Sequence, residues 1–114
     1  MTSDESLVDT GKYLNRLLAE REDLQAASAR TSPDRRPVEL DQQSVGRLSR
    51  MDAIQNQAMA RGTEERRLAR LRAIDAAITR LNAGEFGYCN DCGDRIADRR
   101  LDLDPVVSRC ISCA

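Results

Sequence analysis

The sequence contains no histidine and no tryptophan, and its only aromatic residues are Tyr13, Phe86 and Tyr88. Without histidine, and with no other side chains resembling a nucleophile and its base, an enzyme is not expected. Aromatics at 3% supply too little bulk for an ordinary globular core. High charge with many Ala, Leu and Arg residues predicts long helices with a narrow apolar seam, and allows partial flexibility. No apolar run approaches the length of a membrane span. The first residues, MTSDESLVDTGK, are acidic and polar, unlike a signal peptide. A cytoplasmic location is the default reading, with no membrane partner. Thiols stay reduced in that compartment, which disfavours a disulfide framework. The net charge of −1 gives no overall basic bias toward nucleic acid.

The 114 residues suit one small domain, or a domain with an extension. Two helical zones and a cysteine module organise the chain. In the first zone, 4–30, Leu7, Leu14, Leu17, Leu18 and Leu24 fall near one face at helical spacing. Residues 31–44 hold Pro33 and Pro37, which stop a helix, and read as the loop at a hairpin tip. The second zone, about 44–83, has Ser44 as a candidate N-cap, with Asp41 as an earlier start. Its residues Leu71, Ile74, Ile78 and Leu81 recur at spacings of 3, 4 and 3, the rhythm of a coiled coil. Leu68 leads into that run. Val45, Leu48, Met51, Ile54 and Ala58 read as a weaker upstream seam. Gly62 is either tolerated within the helix or a break with Thr63 as a new cap. Gly84 lies where a C-cap belongs.

The expected fold is mainly α: a long antiparallel helical hairpin, or coiled-coil arm, over 1–83, followed by a small four-cysteine zinc finger over 84–114. At about 1.5 Å per residue the helices span roughly 40 and 60 Å, so the apolar end of the second, about 70–83, outruns the first. Its stripe needs cover, either from the cysteine module folding back or from a homodimer.

All four cysteines lie in the last zone, as Cys89-x2-Cys92, seventeen residues, then Cys110-x2-Cys113. A two-residue spacer lets the chain turn so that two sulfurs present one edge of a tetrahedron, and Gly93 suits such a turn. Four thiolates leave no open coordination position, which points to one structural Zn2+. An iron–sulfur centre and redox chemistry remain as weaker alternatives. The module has few apolar residues, among them Ile96, Leu101 and Ile111, and modules this small usually need a metal. Phe86 and Tyr88 are expected to pack the finger onto the second helix rather than to stack on bases.

Together with the cysteines, Ile96, Arg100 and Pro105 form a spaced pattern, led by GEFGYC and including RRL at 99–101. This pattern resembles the zinc-finger signature of the DksA/TraR family, with Asn90 as a departure. The resemblance implies a coiled-coil arm entering the secondary channel of RNA polymerase, with acidic residues at its tip, often acting with ppGpp in the stringent response. The family's tip motif, Asp-x-x-Asp-x-Ala, is absent. Asp41, Ser49 and Asp52 are the candidate tip residues, with Glu39 and Asp34 as other nearby acids. Asp104 and Ala114 stand where ppGpp-responsive members carry basic residues, which makes a full ppGpp site doubtful.

Arg61, Arg66, Arg67, Arg70 and Arg72 cluster on the second helix, and Arg99 and Arg100 lie in the finger. Arg66, Arg67, Arg70 and Arg100 are the candidate polymerase contacts; a solvated helix face is the plainer reading. The acids Asp94, Asp98, Asp102 and Asp104 disfavour sequence-specific DNA binding. The functional expectation is a polymerase-binding regulator of transcription initiation. The alternative is a zinc-stabilised interaction or dimerisation module with no direct effect on transcription.

Overall fold

The computed structural model describes residues 10–35 and 47–114. Leu7, Pro37, Glu39, Asp41, Ser44 and Val45 lie outside the described residues. Three α-helices account for most of the rest: α1 at Thr10–Arg30, α2 at Arg47–Ala83 and α3 at Asp98–Leu103. Among the described residues there is no β-strand, only an isolated antiparallel bridge between Tyr88 and Arg95. No described helix is long and apolar enough to cross a membrane.

Strong helix formers fill α1, and its end has a local cause. The Thr31 hydroxyl donates to the Ala27 carbonyl at 2.8 Å, and a 3-10 turn at Ser32–Arg35 takes over where Pro33 cannot continue the helix. The 37 residues of α2 run unbroken through Gly62. A Cβ added there would meet only the Arg66 Nη1 at 3.7 Å, so the site is roomy and the glycine is simply tolerated. The helix stops at Gly84, whose φ of 75° leaves the helical region. Glu85 N–H bonds to Arg80 C=O at 2.8 Å and Gly84 N–H to Leu81 C=O at 3.2 Å, the paired bonds of a Schellman cap.

The chain divides into two compact units. One takes the chain up to Arg21 together with Leu71–Ala114; the other is Glu22–Arg70. In the first, Tyr13 and Leu17 from α1, Ile74 and Ala77 from α2, and Phe86, Ile96, Leu101 and Pro105 from the finger are all buried. Full burial of each large apolar side chain contributes about 1.5–3 kcal/mol. The Tyr13 and Phe86 rings sit 5.4 Å apart, tilted by 38°. Arg21 pairs with Asp75 at 3.1 Å. The apolar end of α2 therefore has two covers within this unit, the finger and the first half of α1. The expected overhang does not arise, because α1 pairs along that end rather than stopping short of it. Phe86 packs as expected, whereas Tyr88 is 42% exposed and joins the core only through its backbone bridge.

In the second unit the seam differs from the one expected. Met51 and Ile54 are 53% and 50% exposed, and Ala58 is exposed as well. The positions turned inward include Arg50, Ala53, Gln57, Ala60, Glu64 and Arg67, which repeat at 3 and 4. Counting back from Leu71 by 4 and then 3 lands on Arg67 and Glu64. Following apolar residues instead shifts the reading by one position onto the neighbouring face, because the true seam turns polar here. On α1, Leu18 is exposed while Tyr13 and Leu17 are buried.

Candidate metal centre

The finger follows the Gly84 turn and presents its cysteines on two tight knuckles. In the first, Gly93 N–H bonds back to Cys89 C=O at 3.0 Å, and Cys89 N–H bonds to Asp94 C=O at 2.8 Å. Gly93 holds a φ of 78°, a conformation costly for any side chain with a Cβ. The second knuckle closes through Cys113 and Ala114 N–H groups onto Cys110 C=O at 3.1 and 3.0 Å. Asn90 N–H to Ser108 C=O at 2.8 Å ties the segments carrying the two pairs together.

This framework brings the Sγ atoms of Cys89, Cys92, Cys110 and Cys113 within 4.8 Å of one another. Cys92 Sγ and Cys110 Sγ are 3.6 Å apart. Four sulfurs placed tetrahedrally about 2.3 Å from a zinc ion would have edges of about 3.8 Å, so the site fits the ion. Asp91 N–H points at Cys89 Sγ at 3.4 Å, a donor that favours the thiolate. Backbone donors from Cys110 and Cys92 draw the Cys89 thiol down to about 6. The neighbouring thiols, Cys110 first, push Cys113 up to about 12. Four sulfurs this close cannot all ionise unaided. A divalent cation removes that conflict, which is the donor chemistry a zinc site requires.

Sequence reading missed a set of contacts at the base of the arm. Tyr13 OH donates to the Asp102 carboxylate, Lys12 Nζ pairs with it at 3.0 Å, and Arg16 Nη1 donates to the Asp102 carbonyl at 2.6 Å. The bond to Tyr13, followed by that to Lys12, holds the Asp102 carboxyl below its ordinary value. Burial, then the Asp102 contact, pushes the Tyr13 phenol up to about 12. Nothing in the sequence pattern signals a pairing between residues so far apart. Beside α3 an open groove of about 840 Å³ is lined by Arg99, Arg100, Leu103 and Ile111 among others.

The remaining candidates fall in different surroundings. Ser49 and Asp52 are exposed in the first turns of α2, and Asp41 lies outside the described residues. Arg66 is exposed and donates to Thr63 Oγ1 at 3.1 Å. Arg70 is half-buried. Arg100 donates from Nε to the Arg109 carbonyl at 2.9 Å. Arg67 is turned into the seam, bonded to Glu64 and Thr31 at 3.2 Å each, so its guanidinium is used within the arm. Glu64, Ser28 and Arg35 share that contact; the i,i+3 spacing of Glu64 and Arg67 reads as a minor pair on a solvated face, and sequence does not single out Ser28 or Arg35. The strict heptad count from Leu71 would have placed Glu64 in the seam.

Residues 84–114 match the family described as the prokaryotic dksA/traR C4-type zinc finger. The RNA polymerase-binding transcription factor DksA of Haemophilus influenzae is 41% identical over 49 residues, covering 43% of this chain and 32% of that protein. The protein of the same name from Escherichia coli K12 is 37% identical over 49 residues, covering 43% of this chain and 31% of that one. The chain thus spans about a third of the length of these curated relatives. Over a longer reach, the structure of transcription factor DksA2 from Pseudomonas aeruginosa superposes with a TM-score of 0.74 at 26% identity. That match covers 91% of this chain and 78% of the other. Residues 84–114 thus carry the C4-type finger of the DksA/TraR family, and the helical fold is shared with DksA2 along nearly the whole chain.

Proposed function

We propose that this protein is a transcription regulator that binds RNA polymerase through its helical arm and finger and modulates initiation. The observation that carries this reading is the likeness to the DksA2 transcription factor over 91% of the chain. The finger-matched relatives that are named RNA polymerase-binding factors support it. One Zn2+, held by Cys89, Cys92, Cys110 and Cys113, has a structural role here, because four thiolates fill a tetrahedral shell and leave no position for substrate. The arm enters the polymerase secondary channel. Asp52 and Ser49, both exposed, act at its tip together with Asp41. Arg66, Arg70 and Arg100 contact the polymerase, while Arg67 supports the arm from within. A full ppGpp site is not expected, since Asp104 and Ala114 offer no cation to its phosphates.

The test is binding to core RNA polymerase at micromolar concentration, followed by transcription in vitro with and without ppGpp. Wild type changes promoter output, and Asp52→Ala or Asp41→Ala reduces the change. Absence of polymerase binding would sink the reading. Equal activity of both variants and wild type would remove the tip assignment alone. One observation favours the alternative of an interaction module: Leu103 and Ile111 are 83% and 81% exposed along the finger groove. A stable dimer with no effect on transcription would support that alternative.

A further inference from the structure

Among the described residues of the unit Glu22–Arg70 no apolar residue is buried, and the one that is buried is Glu64, at 9% exposure. It lies on the heptad row that carries Leu71, Ile74, Ile78 and Leu81 further along α2. Its oxygens are fully engaged. Ser28 Oγ donates to Oε2, Arg67 Nη1 donates to Oε1 at 3.2 Å, and Arg35 Nη1 approaches Oε1 at 3.4 Å. The two arginines also donate to Thr31 Oγ1, at 2.9 Å from Arg35 and 3.2 Å from Arg67. Arg35 Nη2 reaches the Ser28 carbonyl at 3.1 Å. The set draws on the end of α1, the 3-10 turn and α2, and none of its members is among the proposed polymerase contacts, Arg67 being turned inward.

Such a cluster is a poor way to gain stability. Replacing a buried ion pair with apolar residues of similar volume is often neutral or stabilising, because desolvation offsets the attraction. Polar groups at seam positions instead discriminate between pairings. Two wrong pairings are open to this sequence. A slip of one turn between α1 and α2 sets Glu64 against Leu24 and leaves the carboxylate without Ser28. Parallel pairing of α2 with a second copy is favoured by its Leu–Ile row, but sets Glu64 against Glu64 and Arg67 against Arg67. Like charges facing across a seam oppose that pairing.

We infer that the Ser28–Thr31–Arg35–Glu64–Arg67 cluster is a pairing lock: it selects α1 as the partner of α2 in one register and blocks self-pairing of α2. The lock acts by penalising alternatives rather than by deepening the native state. It is independent of what the arm binds, so its failure and that of polymerase binding are distinguishable.

The test compares the zinc-loaded full chain with its E64L/R67L variant by sedimentation, thermal unfolding and backbone amide spectra. The variant unfolds at or above the wild-type temperature. It also populates a dimer, or shows doubled amide signals over Glu22–Arg35. Wild type shows one monomeric species and one set of signals. A variant that keeps a single monomer with single signals overturns the lock. So does a variant that unfolds well below wild type, or a wild type that already self-associates. Should E64L/R67L fail to fold, E64R carries the test, because it sets three arginines together while leaving the finger untouched. Amide exchange over Glu22–Arg35 then rises at least tenfold with finger amides unchanged, and unchanged exchange in that segment overturns the proposal.

Discussion

The Tyr13 hydroxyl donates a hydrogen bond to the Asp102 carboxylate, joining residues 89 apart in the chain. Removing the hydroxyl in Tyr13→Phe keeps the buried ring and its contact with Phe86 but deletes the bond. Urea unfolding should report a loss of about 1 kcal/mol. The bond also has a pH signature. A phenol raised to about 12 from 10.0 contributes stability that is complete below pH 10 and lost as the pH climbs toward 12. In a Tyr88→Phe variant Tyr13 is the only phenol, and its absorbance titration should centre near 12. A midpoint near 10 would mean that neither the burial of the phenol nor its bond to Asp102 holds in solution.

Glu64 gives the opposite dependence. Its carboxyl is held below the ordinary 4.5, by Ser28 first and then by Arg67 and Arg35. The associated stability is present above pH 4.5 and is lost as the pH falls through the lower native value. Acid also protonates the zinc thiolates, so a global signal would mix the two effects. Amide exchange followed within Glu22–Arg35 separates them. Protection there should fall in acid for wild type and be nearly flat for Glu64→Gln.

Chelation of zinc should loosen more than the finger. Phe86, Ile96 and Leu101 are buried in one unit with Tyr13, Leu17 and Ile74. Amide exchange is expected to rise in 84–114 and also in Thr10–Arg21 and Leu71–Ala83, while Glu22–Arg70 retains its helical signal. Unchanged exchange in Thr10–Arg21 would show that the arm base holds without the metal.

Two glycines on or beside α2 should respond with opposite signs. Gly62→Ala adds a methyl group where only Arg66 Nη1 stands within 4 Å, and should stabilise the protein by about 1 kcal/mol. Gly84→Ala also meets open space, but it forces a residue with a Cβ into a φ of 75° and should cost about 1 kcal/mol. Urea midpoints of the two variants check both. Equal effects would mean that crowding, not backbone conformation, governs these sites.

Local rules made the metal site and helix ends legible. The spacing of Cys89, Cys92, Cys110 and Cys113 is itself a geometric statement, and Gly84 marks a stop that any helix of this handedness can use. The seam of α2 was legible where it is apolar, from Leu71 to Leu81. It was lost upstream, because Arg67 and Glu64 carry charges that sequence reading assigns to solvent by default. The Tyr13–Asp102 bond had no local cue at all, since each residue alone looks like an ordinary surface position.

The division of the chain has a bearing on its synthesis. Glu22–Arg70 is one continuous stretch, so everything it needs to pair has left the ribosome before the finger emerges. The other unit is discontinuous. Its α1 residues emerge first and wait with Tyr13 and Leu17 uncovered until Ile74, Phe86 and finally Leu101 arrive. The parts of the middle are therefore all present before those of the base, and the cysteine module is the last of these pieces to arrive.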